Sequence, residues 1–249
     1  MLLLSRLVGR EVRGPDGRPV GRLADLTVRL DDAPPVVERL VVTRRGGPAL
    51  VVPWAAVAQF DGSVVLAATG FAVDSLAEAL GPDELLLVRD VLDTQVVDLV
   101  GQRLARVADV LLARDQDGAL ELAGVEVGFG GVLRRLRLGG GLLARDVVDW
   151  PDLHLASDRG HAVQLSTPRS AVHRLDAPGL AALISRVDVD AASEILAVRD
   201  PDVAAEAVRA VHPEVAERIS RRPSLRGRRF FRAGVWPHRR RLIRPPHRR

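Results

Sequence analysis

The chain carries one segment twice, and this internal repeat restricts its possible folds more than any other feature of the sequence. At an offset of 84 residues, the pairs of positions that hold the same residue include Val12 and Val96, Gly17 and Gly101, Arg22 and Arg106, Ala24 and Ala108, Asp25 and Asp109, and Asp31 and Asp115. The apolar positions between these pairs agree as well. The repeat predicts two copies of one module, at residues 1–80 and 85–158.

Each copy is predicted to consist of short strands joined by turns. In the first copy, Gly14-Pro15-Asp16-Gly17 predicts a turn, and residues 38–43 and 49–52 predict strands. Residues 115–118 are predicted to form the same kind of turn in the second copy. Many short strands indicate a small, strongly bent sheet or a barrel, because closure removes exposed strand edges.

The pattern that the two copies share resembles a known family of small barrels. Residues 7–26, followed by a strand pair and Val52-Pro53-Trp54, resemble the PRC-barrel family. Residues 91–110 with Val148-Asp149-Trp150 resemble it again, with Ala105 at the position of a glycine in the first copy. The resemblance implies two PRC-like β-barrels in tandem.

Two aspartates are the best-matched polar residues of the repeat, and each copy also carries a tryptophan near its end. We expect Asp25 and Asp109 to accept local backbone N–H bonds, and contact with a partner or ligand is the alternative. Trp54 and Trp150 are expected in the core, because a buried indole needs only one polar partner.

From Asp176 the sequence changes to a period of 12 residues. Asp176, Asp188, Asp200 and His212 begin successive units, within which the apolar positions align. Aspartate is a preferred N-cap, and proline suits the first helical position. The period predicts short helices of about two turns. They are expected to stack on one another, because isolated helices of this length are unstable in water.

This helical segment, residues 171–222, resembles the intracellular N domain of MgtE-type magnesium transporters. The resemblance rests on the phrase at residues 200–206 and its echo at residues 212–217. It implies an acidic domain that takes part in magnesium sensing, although no counterpart of that family's CBS pair or transmembrane region is found here. The sequence therefore predicts an α+β multidomain chain, with two small barrels followed by a short all-α superhelical repeat domain.

The resemblance also implies a weak surface site for Mg²⁺, an ion that prefers oxygen ligands and retains waters. The carboxylates predicted for this site are Asp188, Asp190, Asp200, Asp202, Glu206 and Glu214. Glu194 and Glu217 match the same pattern. The alternative is that these residues are only helix caps and solvated helix faces.

Residues 223–249 are predicted to form a disordered, arginine-rich tail. Residues 221–249 hold 12 arginines and no carboxylate, whereas residues 1–220 hold 24 basic and 32 acidic side chains. Membrane attachment and nucleic-acid binding are both open for the tail, as is a shifted reading frame that removed a CBS region. The residues predicted to make such contacts are Arg228, Arg229, Phe230, Phe231, Trp236, Arg239, Arg240 and Arg241.

The motifs favour a protein without catalytic activity. The chain has no cysteine, its six histidines lack metalloprotease spacing, and the glycine-rich residues 128–141 lack the pattern of a phosphate-binding loop. We expect a cytoplasmic regulatory or adaptor protein linked to magnesium transport or sensing, with no transmembrane segment. It would be a docking platform for a membrane transporter or another protein, at the inner face of the membrane. Alternatives are a nucleic-acid- or ribosome-associated protein that uses the tail, and an unrecognised enzyme.

Overall fold

The chain folds into two compact units that differ in secondary structure. The computed structural model describes residues 1–30, 34–61, 63–127 and 146–221. Unit 1 is Met1–Arg174 and unit 2 is Leu175–Arg249. Unit 1 contains two β-sheets and short helices, and the described part of unit 2 contains α-helices. The predicted α+β class is therefore confirmed.

The strands of unit 1 follow the short, turn-punctuated pattern of the sequence. In chain order, the strands in the described residues are β1 Leu2–Leu3, β2 Glu11–Arg13, β3 Pro19–Arg29, β4 Val37–Arg44, β5 Gly47–Pro53, β6 Val57–Phe60, β7 Val64–Leu66, β8 Phe71–Val73, β9 Glu84–Leu86, β10 Gln95–Asp98, β11 Arg103–Arg114, β12 Leu120–Val127, β13 Asp146–Asp149 and β14 Leu153–Leu155. The strands predicted at residues 38–43 and 49–52 are confirmed as β4 and β5.

The strands form one sheet for each copy of the repeat. In the first sheet the order is β6–β7–β2–β3–β4–β5–β8, and β9 also pairs with β3. In the second sheet the order is β13–β12–β11–β10–β14, and β1 also pairs with β11. The long strands β3 and β11 occupy equivalent positions, because each pairs along its length with three other strands.

The two copies exchange their first strands. The strand that begins the first copy, β1, joins the sheet of the second, and the strand that begins the second copy, β9, joins the sheet of the first. The facing residues are Leu2 and Leu112, Leu3 and Leu111, Leu85 and Val28, and Leu86 and Thr27. At the 84-residue offset, positions 27 and 28 correspond to positions 111 and 112, so both exchanges have the same register.

Corresponding residues of β1 and β9 are 83 residues apart, one fewer than the offset of 84 in the rest of the repeat. The turn that follows each strand accounts for this difference of one residue. In the first copy the turn is a 3₁₀ helix, Leu4–Arg6, and in the second it is a π-helical turn, Leu87–Val91. The N–H of Val8 also bonds to the oxygen of Leu4, four residues earlier, whereas the N–H of Leu92 bonds to the oxygen of Leu87, five residues earlier. The π turn of the second copy therefore holds one residue more. The offset of 84 is restored after it.

This exchange places residues 1–80 and 85–158, predicted as separate modules, inside one compact unit. Each sheet is completed by a strand of the other copy, which pairs backbone groups that would otherwise be exposed. The hydrophobic pattern of a repeat is the same whichever copy a strand joins. The pattern therefore predicts the modules but not their exchange.

Both predicted turns are present, but they do not occupy corresponding positions in the two copies, which is different from the prediction. Gly14–Gly17 connects β2 to β3, and the φ angle of Gly17 is +76°, a left-handed value that favours glycine. Residues 115–118 connect β11 to β12. At the 84-residue offset they correspond to residues 31–34, so this turn is not the counterpart of Gly14–Gly17.

Unit 1 also contains helices that connect and cover the sheets. Helix α1, Leu76–Ala79, lies between the two copies, and α2, Asp158–Ser166, follows β14. Short 3₁₀ turns begin at both matched tryptophans, as Trp54–Ala56 after β5 and Trp150–Asp152 after β13. Trp150 is buried as expected, whereas Trp54 is only partly buried and packs edge-on against Phe60.

The described part of unit 2 is a row of short helices with the predicted period. The helices are α3 Ala177–Ile184, α4 Val189–Val198, α5 Pro201–Ala210 and α6 Pro213–Ser220. Each begins directly after one of the predicted N-caps, Asp176, Asp188, Asp200 and His212, whose side chain accepts a backbone N–H from the first turn. The predicted caps are therefore confirmed.

Packing within unit 2 uses the aligned apolar positions. The side chains at these positions are all buried: Leu180, Leu183, Ala192, Ile195, Ala204, Ala207, Ala216 and Ile219. Helix α3 packs against α4 and α5, and α4 packs against α6. Burial of each leucine or isoleucine contributes about 1.5–3 kcal/mol, which stabilises helices that are too short to form alone.

Candidate functional site

The six carboxylates predicted to bind magnesium are all exposed, and five of them, all except Glu206, lie at helix N-termini. Asp188 accepts the N–H groups of Asp190 and Ala191, both at 2.9 Å, and Asp200 accepts that of Asp202 at 2.9 Å. Asp190 and Asp202 therefore lie beside the caps. Glu214 occupies the first turn of α6, and Glu206 lies within α5.

This arrangement suits helix capping better than chelation of an ion. Carboxylates in the first turn interact favourably with the positive end of the helix dipole. Within residues 1–30, 34–61, 63–127 and 146–221, no group of three or more histidine, aspartate or glutamate side chains is placed to hold a metal ion. The residues predicted for membrane or nucleic-acid contact, Arg228 to Arg241, lie outside the described residues, as do the glycine-rich residues 128–141.

The matched aspartates of the repeat bind the strands that the two copies exchange. Asp25 accepts the N–H groups of Val88 at 2.7 Å and Arg89 at 3.2 Å, just after β9. Asp109 accepts the N–H of Ser5 at 3.0 Å and also its hydroxyl, just after β1. Each aspartate also accepts the N–H of the next residue, Leu26 at 2.8 Å and Val110 at 2.9 Å, so the expected local hydrogen bonds are confirmed. The donors Val88, Arg89 and Ser5, by contrast, come from the other copy.

Asp25 is 6% exposed, and its ionisation is affected by that burial. Desolvation raises the pKa of its carboxyl group to about 6, against the opposing effect of the backbone N–H donors Val88, Leu26 and Arg89. The negative charge of Asp90 acts in the same direction as desolvation.

An ion-pair network that the sequence analysis missed holds β9 in the first sheet. Arg39 of β4 donates two hydrogen bonds to the carboxylate of Glu84, which is 4% exposed. Burial acts to raise the pKa of Glu84, but hydrogen bonds, of which that from Arg39 is the strongest, outweigh it and hold the pKa below its usual value. Arg159 of α2 donates to the backbone oxygens of Glu84 and Gly81, both at 2.8 Å. These residues follow no period, so no sequence signal indicates them.

Two histidines form a buried pair at the end of the second copy. Nε2 of His154 lies 2.9 Å from Nδ1 of His161, and the rings meet edge to face at 5.0 Å between centroids. Desolvation, assisted by the nearby His161, lowers the pKa of His154 to about 3. A neutral pair can share one proton, since one ring nitrogen donates and the other accepts. Their spacing of seven residues matches no known motif and gave no signal in the sequence.

A cavity of about 690 Å³ lies within unit 1, where both copies meet the segment after α2. Its walls include Leu30 from the first copy, and Leu122 and Trp150 from the second. Arg169 and Ser170 come from the segment that follows α2. This volume is in the range of sites for small organic ligands. No sequence pattern indicates this cavity, because its walls are far apart along the chain.

Comparison with known protein families and with curated proteins finds no match to this chain. None of the helices in the described residues is long and apolar enough to span a bilayer.

Proposed function

We propose that the chain is a non-catalytic regulatory or adaptor protein linked to magnesium transport or sensing. In this proposal unit 1 is a scaffold, and unit 2 is the docking surface for a membrane transporter or another protein. The observation that carries the proposal is the regular row of four capped helices, of which α4, α5 and α6 present an exposed carboxylate in the first turn. Such a row offers a repeated acidic surface to a partner.

The scaffold role is supported by the way in which unit 1 uses its matched polar residues. Asp25 and Asp109 hold the exchanged strands, and the ion pair of Arg39 with Glu84 links β9 to β4, the strand on the other side of β3. We propose that the two sheets are a tandem pair of PRC-type barrels and that the helices of unit 2 form a superhelical array. The sequence patterns at residues 7–26 and 200–206 support these assignments.

Magnesium would act on unit 2 through its charge. The described carboxylates do not fit an inner-sphere site, because no three of the possible ligands are grouped. A hydrated Mg²⁺ ion screens neighbouring carboxylates without leaving its water shell, which suits exposed first turns such as those of Asp190 and Asp202. We place the protein in the cytoplasm, at the inner face of the membrane.

The test is a magnesium titration of the full chain at constant ionic strength, followed by thermal unfolding and by protease protection of unit 2. We expect millimolar Mg²⁺ to shift the thermal midpoint and the protease protection of unit 2. This response should be lost in the triple variant Asp190→Asn, Asp202→Asn, Glu214→Gln. These residues are chosen because none of them is an N-cap, so the caps stay intact. A matched control neutralises three exposed carboxylates of unit 1, Asp16, Asp74 and Asp117.

A magnesium response that is equal in the triple variant and the control would contradict the proposal. So would the absence of any response together with salt-sensitive binding of single-stranded RNA. The latter result would support the alternative function, in which the 12 arginines of residues 221–249 bind nucleic acid by releasing counterions. Capture of a membrane transporter from cell extract by the wild type, weakened in the triple variant, would support docking through unit 2.

A further inference from the structure

The cavity in unit 1 has the properties of a site for an amphiphilic ligand. Its apolar walls come from both copies of the repeat: Leu30, Pro34, Pro35, Leu122, Ala123, Trp150, Pro151 and Leu153. Leu122 and Leu153 belong to strands of the second sheet, and Leu30 follows β3 of the first. A volume of about 690 Å³ is enough for an organic molecule of moderate size.

Two of the polar side chains in the wall are already used within the protein. Gln164 accepts the N–H of Leu155 at 2.7 Å and donates to the oxygen of Leu153 at 3.2 Å. Thr167 donates its hydroxyl to the oxygen of Val163 at 2.8 Å. These groups shape the wall, and their hydrogen bonds are satisfied without a ligand.

Ser170 differs from these residues. Its hydroxyl oxygen is buried and has no hydrogen-bond partner in the described part of the chain. It occupies the N-cap position of the short turn Ala171–His173 but makes no capping bond there. A buried polar group without a hydrogen-bond partner is unfavourable, because it has lost its contact with water. A ligand oxygen in the cavity would satisfy it.

The charges in the wall favour an anion. Arg169 and Arg174 contribute two guanidinium groups, and Asp149 contributes one carboxylate, so the lining carries a net positive charge. Guanidinium groups bind carboxylates through two parallel hydrogen bonds. The side chains of both arginines are exposed, which places them where a charged head group can keep part of its hydration.

We propose that this cavity binds an organic carboxylate with an extended apolar body, such as a medium-chain fatty acid. The carboxylate interacts with Arg169, Arg174 and the hydroxyl of Ser170. The hydrocarbon chain lies against the apolar walls, with Trp150 on one side. Since the walls come from both copies, the site exists only in the assembled unit 1.

The probe is decanoate, titrated into the full chain and followed by calorimetry and by tryptophan fluorescence, because Trp150 lines the cavity. We expect saturable binding of one molecule per chain. Decanol, which has the same chain length and no charge, is expected to bind about tenfold more weakly, in keeping with the loss of charge-assisted hydrogen bonds. Decylammonium is expected to bind more weakly still.

Two variants test the site itself. Ala123→Phe places a ring in the cavity and should weaken decanoate binding by more than about tenfold. Ser170→Ala should weaken it by about three- to tenfold and leave the thermal midpoint of the free protein unchanged or higher, because a buried, unpartnered hydroxyl is removed. Ala72→Phe, at an exposed position of β8, is the matched control.

The proposal is overturned if decanoate does not bind saturably, or if decanol binds as tightly as decanoate. It is also overturned if binding survives Ser170→Ala and the double change Arg169→Gln, Arg174→Gln without weakening. If Ala123→Phe fails to fold, the serine and arginine variants decide the outcome, because Arg169 and Arg174 are exposed and the hydroxyl of Ser170 makes no hydrogen bond in the described residues.

Discussion

Asp25 shows how one buried carboxyl group couples the strand exchange to pH. Its pKa of about 6 in the folded protein lies above the ordinary value of 3.8, so the folded state retains a proton that the unfolded state has lost. The stabilisation from the protonated group is complete below about pH 4 and is lost as the pH rises through 6. The difference corresponds to about 3 kcal/mol.

We therefore expect Asp25→Asn to remove this pH dependence. The free energy of unfolding of the wild type, relative to that of the variant, should fall by about 2 kcal/mol between pH 4 and pH 7. Denaturant unfolding at several pH values measures it. Asp16→Asn, at an exposed turn, is the control, and an equal pH profile for wild type and Asp25→Asn would rule out the effect.

His154 produces a dependence of the opposite sign. Its pKa of about 3 in the folded protein lies below the ordinary value of 6.5, so the unfolded chain gains a proton first as the pH falls. The contribution of neutral His154 to the free energy of unfolding is fully present above about pH 6.5 and decreases as the pH falls towards 3. Between pH 6.5 and pH 5 the expected loss is about 2 kcal/mol.

The variant His154→Gln should lose this acid sensitivity while keeping a side chain that can bond to His161. Unfolding by denaturant at pH 5 and pH 6.5 measures the difference between the two proteins. His173→Gln, at a partly exposed histidine, should leave the acid sensitivity of the wild type in place. The same pH slope in wild type and His154→Gln would contradict the assignment.

At the scale of elements, the helices of unit 2 depend on their caps. Asp188 accepts two N–H groups of the first turn of α4. Asp188→Ala should lower the free energy of unfolding of unit 2 by about 1 kcal/mol, whereas Asp188→Asn should change it by only a few tenths, because asparagine also caps well. Thermal unfolding followed by circular dichroism measures both.

The matched control for the cap is Glu206→Ala, because Glu206 is an exposed residue inside α5. Alanine has the highest helix propensity, so this change should cost little. A loss of stability as large in Glu206→Ala as in Asp188→Ala would show that the cap has no special role.

The strand elements show where sequence patterns are informative and where they are not. The positions of β4 and β5 follow from β-branched runs between turns, and the caps and buried faces of α3 to α6 follow from the 12-residue period. The extra residue in the π turn Leu87–Val91 was hidden, because an alignment at a constant offset of 84 passes over it. Its presence is visible only in the register of the exchanged strands.

For the whole molecule, the exchange predicts that unit 1 stays together when the link between its copies is cut. A specific protease site inserted after Asp74, an exposed residue before α1, allows cleavage of the folded protein. We expect the two fragments to elute together in size-exclusion chromatography, because β1 and β9 each lie in the other copy's sheet.

A second form of this experiment tests the cause of the association. With Leu85→Asp, a charge replaces a fully buried side chain of β9, and the cleaved fragments should separate at lower denaturant concentration. The uncleaved protein with the same insertion is the control. Fragments that separate in buffer without denaturant would show that the two copies are independent modules.

The sequence alone is sufficient to predict those features that depend on near neighbours along the chain. Turns, helix caps and buried helix faces belong to this group, since they follow from backbone preferences and from periods of two and 3.6 residues. The strand exchange, the pairing of Arg39 with Glu84, the histidine pair and the cavity depend on the meeting of distant segments. The same repeat pattern is compatible with either partner for β1 and β9, and only long-range packing selects the exchanged one.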